Sequence, residues 1–208
     1  MKVDLRKIIE QSKMPKAVKP SAEQQAAMIE KFNACGYRRI NGALFDVLID
    51  YSCMVQSRGK MAGLIISGSI GCGKSFGVEV MAGVMPELFD MELAVDLTRA
   101  HQNKTEYEAM REPRDFFGVR KHLIIDDVGC EPCPFKSYGT PVNVIRELLE
   151  YRYLLWHKYR VLTIITTNLT KAEYNEIYGQ RNDSRTEQAM NFVSIKGEDL
   201  RLLNASDV

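Results

Sequence analysis

The feature that most constrains this chain is a short apolar run that leads directly into a glycine-rich turn. Residues 64–76 read LIISGSIGCGKSF, and Gly68 through Ser75 fit the pattern G-x-x-x-x-G-K-[ST] at every fixed position. The glycines allow the backbone to curl so that successive N–H groups point inward at an anion. A helix that begins near Lys74 would add the positive end of its dipole to the same place. The stretch therefore predicts a strand, a phosphate-binding loop and a helix, in that order.

Two residues supply the chemistry of this loop. Lys74 is expected to reach the β- and γ-phosphates of a nucleoside triphosphate, and the Ser75 hydroxyl is expected to bind Mg²⁺. A glycine-rich turn can also join a strand to a helix without binding a ligand, but Lys-Ser in register after a strand favours nucleotide binding. The residues expected to contact the nucleotide here are Gly68, Ser69, Ile70, Gly71, Cys72, Gly73, Lys74, Ser75 and Phe76.

A second apolar run ends in a pair of carboxylates. Residues 122–127 read HLIIDD, and the apolar part predicts a short buried strand. Ligands of parallel sheets bind beyond the carboxyl ends of the strands, which is where this pair would lie. In a phosphate-loop protein Asp126 would hold Mg²⁺ and Asp127 would polarise the attacking water. The alternative is a surface turn or a helix cap.

Asn168 and two arginines extend the pattern. Asn168 follows a predicted β-branched strand at residues 161–167, where an Asn can orient the lytic water or sense the γ-phosphate. An Asn after a strand is also a common turn residue. Arg181 and Arg185 are four residues apart, so on a helix they share one face. They are either surface charges or an arginine finger for the nucleotide of a neighbouring subunit.

Hydrophobic periodicity predicts the remaining elements and a division of the chain. Residues 1–41 are expected to form a basic, helical appendage and linker, and residues 42–208 an α/β nucleotide-binding domain. Strands are also expected at Leu93–Leu97 and Phe192–Ile195. The helices are expected at residues 21–34, 44–55, 74–84, 141–158 and 171–177.

Charge and cysteine content limit the partners and the compartment. The net charge is +1, so any surface that attracts nucleic acid must be local. Residues 99–120 interleave basic residues with Tyr107, Phe116 and Phe117, which suits single-stranded DNA, but their four acidic residues are also typical of a solvated helix. Five cysteines without framework spacing predict free thiols in a reducing compartment.

Zinc and membrane roles are not favoured. Cys130 and Cys133 form a C-x-x-C pair, but a structural zinc site needs four ligands and the sequence has no second pair. No apolar run approaches the roughly 20 residues that span a bilayer, and no signal peptide is evident. We therefore expect a cytoplasmic protein without a membrane partner.

Four motifs in one order carry a family resemblance. They are Gly68–Ser75, Ile125–Gly129, Thr166–Leu169, and Tyr178–Arg181 followed by Ser184-Arg185. The series resembles the DnaC/IstB group of AAA+ ATPases, which comprises bacterial and phage helicase loaders and transposon-encoded helpers. The resemblance covers roughly residues 40–203, and residues 197–201 are similar to the Gly-x-Ser-Tyr-Arg ending of the group.

The resemblance implies a fold and a role for each matched residue. The fold is a P-loop NTPase with a parallel five-stranded sheet flanked by helices, with no helical lid or a minimal one, and ATP and Mg²⁺ are held between subunits of a ring or spiral. Lys74 and Ser75 match the phosphate and Mg²⁺ ligands, Asp126 the metal-side acid, Asp127 the catalytic acid, Asn168 sensor 1, Arg185 the arginine finger and Arg181 its companion. Arg201 is a weaker match to a late sensor arginine, because Asp199-Leu200 replace Ser-Tyr.

The resemblance also implies a task. The protein would bind and slowly hydrolyse ATP to load a replicative ring helicase on single-stranded DNA. Hydrolysis would be slow because the Asp127 carboxylate is one methylene shorter than the Glu of most AAA+ proteins, and small misplacements reduce rates strongly. The alternatives are an IstB-like transposition helper, a non-hydrolysing adaptor switched by ATP and, less in keeping with the motif series, a small-molecule kinase.

Overall fold

The computed structural model describes residues 20–37, 41–56, 61–179, 188–197 and 199. The helices of this part are α1 (Ala22–Ala34), α2 (Gly42–Gln56), α3 (Lys74–Val84), α4 (Ala94–Ala100), α5 (Lys104–Arg111), α6 (Val144–Tyr159) and α7 (Lys171–Tyr174), which a π-helical turn continues (Asn175–Gly179). The strands are β1 (Gly63–Gly68), β2 (Phe89–Leu93), β3 (His122–Val128), β4 (Phe135–Ser137), β5 (Thr140–Val142), β6 (Thr163–Thr167) and β7 (Met190–Ile195).

Five of the strands form a parallel sheet in the order β2-β3-β6-β1-β7. The central strands β1, β3 and β6 are apolar and buried because helices cover both faces. β6 lies between β1 and β3, although it follows both in the chain. The carboxyl ends of β1, β6 and β3 are therefore neighbours at one edge of the sheet. The predicted α/β fold with a parallel five-stranded sheet is confirmed.

Alternate residues of the central strands pack into different clusters. Leu64 and Ile66 belong to a cluster that includes residues of α1, α2 and α3. Ile65 belongs to a second cluster, with residues of α4, α6 and the π-helical turn. This alternation follows from the two-residue period of a strand, and it fixes which helices lie on each face.

Helix α1 contributes to the core of the sheet. Ser21 caps it: its hydroxyl accepts a hydrogen bond from the Gln24 N–H, and the Gln24 side chain accepts one from the Ser21 N–H. Met28 and Phe32 are buried in the cluster that contains Leu64 and Ile66. The described residues before position 42 thus share one hydrophobic core with the sheet.

The predicted strand at Leu93–Leu97 is wrong. The strand is Phe89–Leu93, and the following residues form helix α4. Ala94, Leu97 and Thr98 are buried at the i, i+3 and i+4 positions of a helical face. An apolar run this short fits a strand as well as a helix, so the sequence alone did not distinguish them.

Helix α6 also begins later than predicted. It starts at Val144 rather than near Pro141, because Thr140–Val142 pair with Phe135–Ser137 as a hairpin. The Asn143 side chain then accepts a hydrogen bond from the Arg146 N–H, which caps the helix.

A buried arginine joins α6 to the amino end of β6. The Arg152 side chain is only 2% exposed. Its Nε donates to Thr163 Oγ1 at 2.9 Å, and its two terminal nitrogens donate to the carbonyl oxygens of Leu162 at 2.6 Å and Arg111 at 3.1 Å. Burial lowers the pKa of Arg152 to about 10, so the group stays charged at neutral pH. One guanidinium thus connects α5, α6 and the start of β6.

His122 lies beside this guanidinium at the start of β3. Its Nδ1 accepts a hydrogen bond from the Leu162 N–H at 3.1 Å, which requires that nitrogen to be unprotonated. Burial, and then the charge of Arg152, lower the pKa of His122 to about 4. The folded protein therefore contains a neutral His122 throughout the physiological pH range.

We expect the free energy of unfolding to fall as the pH is lowered from about 6.5 to 4. The unfolded chain binds a proton at His122 near pH 6.5 and the folded chain only near pH 4, so unfolding takes up a proton in this window. The slope from this group is at most about 1.4 kcal/mol per pH unit. Urea titrations at several pH values would measure it.

His122→Asn is the matched control for this expectation. An Asn carbonyl oxygen can replace Nδ1 as the acceptor for the Leu162 N–H but does not titrate. The pH dependence contributed by other groups, such as Glu112, is common to both proteins. Equal slopes in wild type and variant would show that His122 does not cause the loss of stability.

Candidate nucleotide-binding site

The glycine-rich turn forms an open loop between β1 and α3. Gly71 and Gly73 have φ angles of 77° and 91°, in the left-handed region that favours glycine. Gly73 is the N-cap of α3 and contributes no side-chain cap. The first N–H groups of this helix therefore point to the loop, an arrangement suited to an anion.

The end of β7 and the residues after it lie against the loop. A Cβ atom at Gly68 would lie 2.5 Å from the carbonyl oxygen of Ile195, and one at Gly71 would lie 1.8 Å from Asp199 Oδ1. Ser69 Oγ donates a hydrogen bond to the Gly197 carbonyl oxygen at 2.9 Å. The loop conformation thus depends on residues that lie over a hundred positions away in the chain.

Lys74 connects the loop to the neighbouring strand. Its side chain is buried, and Nζ donates to the carbonyl oxygens of Gly68 at 2.8 Å and Ser69 at 2.9 Å. Nζ also donates at 2.8 Å to Oδ1 of Asn168, the residue directly after β6. The structure therefore brings together two of the predicted site residues, and it fixes the ammonium group at the mouth of the loop.

The carboxylate pair lies at a bulge in β3. The pairing of β3 with β6 shifts register between Ile125 and Val128, and Asp127 has a φ of 56°. Bulges and positive φ angles at non-glycine residues are concentrated at functional sites, where they redirect side chains. Asp126 is 96% buried, while Asp127 is more exposed.

Thr166 holds both members of the pair. Its hydroxyl donates to Asp126 Oδ1 and accepts from the Asp127 N–H at 3.0 Å. Thr166 was part of a motif in the sequence, but no role was predicted for its side chain. The sequence did offer one signal for such a role, which is that Thr166 carries a hydroxyl near the end of a predicted buried strand, two residues before Asn168.

Two further hydroxyl groups tie the strand ends together. Ser67 Oγ donates to the Leu169 carbonyl oxygen at 2.6 Å, and Thr167 Oγ1 donates to the Val128 carbonyl oxygen at 2.6 Å. Thr167 pairs with both Ser67 and Val128 in the sheet. These contacts link the carboxyl ends of β1, β6 and β3, and the sequence did not predict them because they depend on strand order.

A buried glutamate links the loop after β3 to the π-helical turn. Glu131 Oε2 accepts from the Gly129 N–H at 2.8 Å, and Oε1 accepts from the Tyr178 hydroxyl. Burial, and then this hydrogen bond, raise the pKa of Tyr178. No function was predicted for Glu131, which lies between Cys130 and Cys133 in the sequence.

The predicted site residues divide into three groups. Lys74, Asp126, Asp127 and Asn168 meet at one edge of the sheet, and Ser75 lies half-buried in the first turn of α3. Ile70 and Phe76 are 61% and 50% exposed at the loop, while Cys72 is buried behind it. Arg181, Arg185 and Arg201 lie outside the described residues.

The donor set fits a nucleoside triphosphate with Mg²⁺. Backbone N–H groups and the Lys74 ammonium suit phosphate oxygens, and the Ser75 hydroxyl with the Asp126 carboxylate are oxygen ligands of the kind that Mg²⁺ takes along with phosphates. When bound, Mg²⁺ would neutralise charge on the phosphates.

The cysteines were predicted to be free thiols. All five lie among the described residues and are free thiols, which agrees with the prediction. Cys130 and Cys133 are exposed, and burial first and then nearby carboxylates raise the pKa of both thiols, which disfavours the reactive thiolate.

Comparison with solved structures identifies the fold. A DNA replication initiation factor superposes with a TM-score of 0.53 at 16% identity, and AMPPCP-bound DnaA from Aquifex aeolicus with 0.51 at 14% identity. In each case the match covers 76% of this chain and 47% of the other, so the chain spans about half the length of these proteins. DnaI aligns over 93% of this chain and 92% of its own at 18% identity, but its TM-score of 0.48 is too low to support an inference.

The chain has the fold of the AAA+ P-loop proteins. A comparison with protein-family models gives no match, and neither does one with curated protein sequences. Among the residues that the structure describes, no helix is both long and apolar enough to cross a membrane.

Proposed function

We propose that this AAA+ protein is an ATP-dependent helicase loader of the DnaC type. It binds ATP and Mg²⁺, assembles into a ring or spiral in the cytoplasm, and hydrolyses ATP slowly while it places a replicative helicase on single-stranded DNA. The order of the four sequence motifs supports this assignment, and so does the fold shared with a DNA replication initiation factor and with AMPPCP-bound DnaA.

The observation that carries the proposal is the contact between Lys74 and Asn168. The two residues are 94 positions apart and meet at 2.8 Å, and Thr166, near the same strand end, contacts Asp126 Oδ1 and the Asp127 N–H. A lysine that would bind phosphate thus contacts an asparagine that would sense it, and two carboxylates lie at the same edge of the sheet. This arrangement supports a site for ATP hydrolysis, which a neighbouring subunit would complete.

Each residue has a distinct part in the proposed reaction. Lys74 binds the β- and γ-phosphates, and Ser75 and Asp126 hold Mg²⁺. Asp127 polarises the attacking water, and Asn168 orients it. We assign Arg185 as the finger for a neighbouring subunit's nucleotide, Arg181 as its companion and Arg201 as a late sensor.

Reconstitution with the replicative helicase of the same host tests the proposed function. We expect the protein to stimulate unwinding of a circular, partly single-stranded template at least tenfold, and only when it can bind ATP. Stimulation of a transposase without any effect on the helicase would instead support a transposition helper and contradict the proposal.

The Arg185→Ala variant tests assembly of the site through measurements of ATP binding and hydrolysis. It should bind ATP as the wild type does but lose the hydrolysis that depends on assembly, because the arginine acts on a neighbour's nucleotide. Arg99→Ala is a suitable control, since the Arg99 side chain is 72% exposed and forms a surface ion pair with Asp96 one turn away. Normal hydrolysis by the Arg185 variant would overturn the finger assignment.

A further inference from the structure

Two phenylalanines project into solvent from a hairpin between α5 and β3. Phe116 is 96% exposed and Phe117 is 86% exposed, and Val119 beside them is 61% exposed. The two rings are 5.5 Å apart and nearly perpendicular. We call residues 113–121 the aromatic hairpin. Single exposed apolar residues are common, but adjacent rings with almost full exposure indicate an interaction site.

The turn that carries these rings is ordered by its own hydrogen bonds. The Lys121 N–H donates to the Pro113 carbonyl oxygen at 2.8 Å, and the Asp115 N–H donates to the Val119 carbonyl oxygen at 2.9 Å. Asp115 Oδ1 accepts from the N–H groups of Phe117 and Val119 at 2.9 and 2.8 Å. The backbone is therefore preorganised to present the rings, which reduces the entropy lost when they bind.

The base of the hairpin is anchored to α6. The Glu112 carboxylate accepts hydrogen bonds from Arg114, from Arg120 Nε at 2.6 Å and from the Tyr151 hydroxyl. Burial raises the pKa of Glu112, but the Tyr151 hydrogen bond and the two arginine charges outweigh it and leave the pKa below its usual value. The anchor therefore stays ionised at neutral pH.

Cationic side chains lie near the base of the hairpin. The Arg120 guanidinium lies 3.9 Å from the centre of the Tyr159 ring, and Lys158 Nζ lies 5.0 Å from the same ring, so the end of α6 is beside the hairpin. Residues 112–121 and 158–160 contain five cationic side chains and two carboxylates. Both carboxylates are engaged inside the hairpin, by backbone N–H groups at Asp115 and by the anchor at Glu112.

The aromatic hairpin lies opposite the nucleotide site. It leads directly into the amino end of β3, and the end of α6 leads into β6. The phosphate loop, Asp126 and Asn168 lie at the carboxyl ends of the same strands. A ligand on the hairpin would therefore be bound at a second site on the other edge of the sheet.

We infer that the aromatic hairpin is a stacking platform for single-stranded DNA. Bases stack on Phe116 and Phe117, and the cations Lys121, Lys158 and Arg160 attract the phosphates between them. Exposed rings beside basic side chains serve both parts of a nucleotide. An apolar groove of a protein would match the rings but not the excess of positive charge. The inference rests on the proposed function, because it names where the DNA is bound.

Fluorescence anisotropy with an end-labelled oligothymidylate tests the platform in the full chain. Phe116→Ala and Phe117→Ala should each weaken binding by roughly tenfold, since stacking on one ring contributes about 1–3 kcal/mol. Phe117→Leu, which keeps an apolar side chain but cannot stack, should lose nearly as much. Lys158→Ala should lower the salt dependence of log K by about 0.7.

Leu154→Ala is the matched control for loss of an exposed apolar side chain, because Leu154 is 59% exposed elsewhere on α6. It should bind DNA as the wild type does, and all variants should bind ATP normally. If the wild type binds DNA and the phenylalanine variants bind it equally well, the inference fails but the proposed function stands. Phenylalanine variants that bind DNA normally but no longer bind the helicase would overturn the inference in favour of a protein-docking role. If the wild type binds no single-stranded DNA in any nucleotide state, the proposed function fails as well.

Discussion

Lys74→Ala is expected to weaken ATP binding by at least about 100-fold and to abolish hydrolysis. The ammonium group is buried at the mouth of the loop and is held by Gly68, Ser69 and Asn168. In the proposed complex it bonds to two phosphates, and hydrogen bonds to charged groups contribute about 1.5–3 kcal/mol each. Calorimetric titration with ATP and Mg²⁺ would measure the loss.

Two controls separate this effect from general damage. Lys171→Ala removes an exposed lysine of α7 and should leave binding unchanged. Asn168→Ala removes the partner of Lys74 but not the phosphate ligand, so it should bind ATP within a few-fold of wild type while hydrolysis falls. A Lys74→Ala protein that melts like wild type and binds ATP with wild-type affinity would refute the assignment of the site.

Arg152→Met is expected to lower the free energy of unfolding by about 2–4 kcal/mol. The substitution leaves Thr163 Oγ1 and the Arg111 carbonyl oxygen without their buried donor, and each unsatisfied group costs about 1–3 kcal/mol. The Leu162 carbonyl oxygen keeps its bond from the Leu123 N–H, which limits the loss. For a chain of this size the melting temperature should fall by roughly 5–15 °C.

Arg146→Met is the control on the same helix. Arg146 is partly exposed, and its ion pair with Glu150 spans 4.0 Å, so its loss should change stability by less than about 1 kcal/mol. Arg152→Lys should be intermediate, because an ammonium group cannot reproduce the fork of the guanidinium. Equal melting temperatures for Arg152→Met and Arg146→Met would show that the buried network does not contribute to stability.

The error at Leu93–Leu97 shows where local patterns fail. Five residues with several apolar side chains satisfy the period of a strand and that of a helix equally well. The structure makes Phe89–Leu93 the edge strand, since it pairs with β3, and the residues after it bury a helical face against the second cluster. Tertiary packing therefore determines that the residues after Leu93 form a helix and not a strand.

The hydroxyl groups at the strand ends were unpredictable for a related reason. Thr166 and Thr167 read as part of a buried β-branched strand, and Ser67 as the end of another. Their hydrogen bonds to Asp126, Val128 and Leu169 exist because β6 is inserted between β1 and β3. Chain order alone does not give that arrangement.

The amino-acid sequence by itself determined the glycine-rich loop, the helix after it and the carboxylate pair after a buried strand. These features depend on local sterics: glycine permits positive φ, a helix begins where the loop ends, and an apolar run ends at the edge of a sheet. Only the tertiary structure decided that Lys74 contacts Asn168, that Thr166 bonds to the Asp126 carboxylate and the Asp127 N–H, and that Phe116 and Phe117 face solvent. Those relations join residues distant in the chain, or depend on which surfaces remain uncovered, and so they follow from strand order and packing.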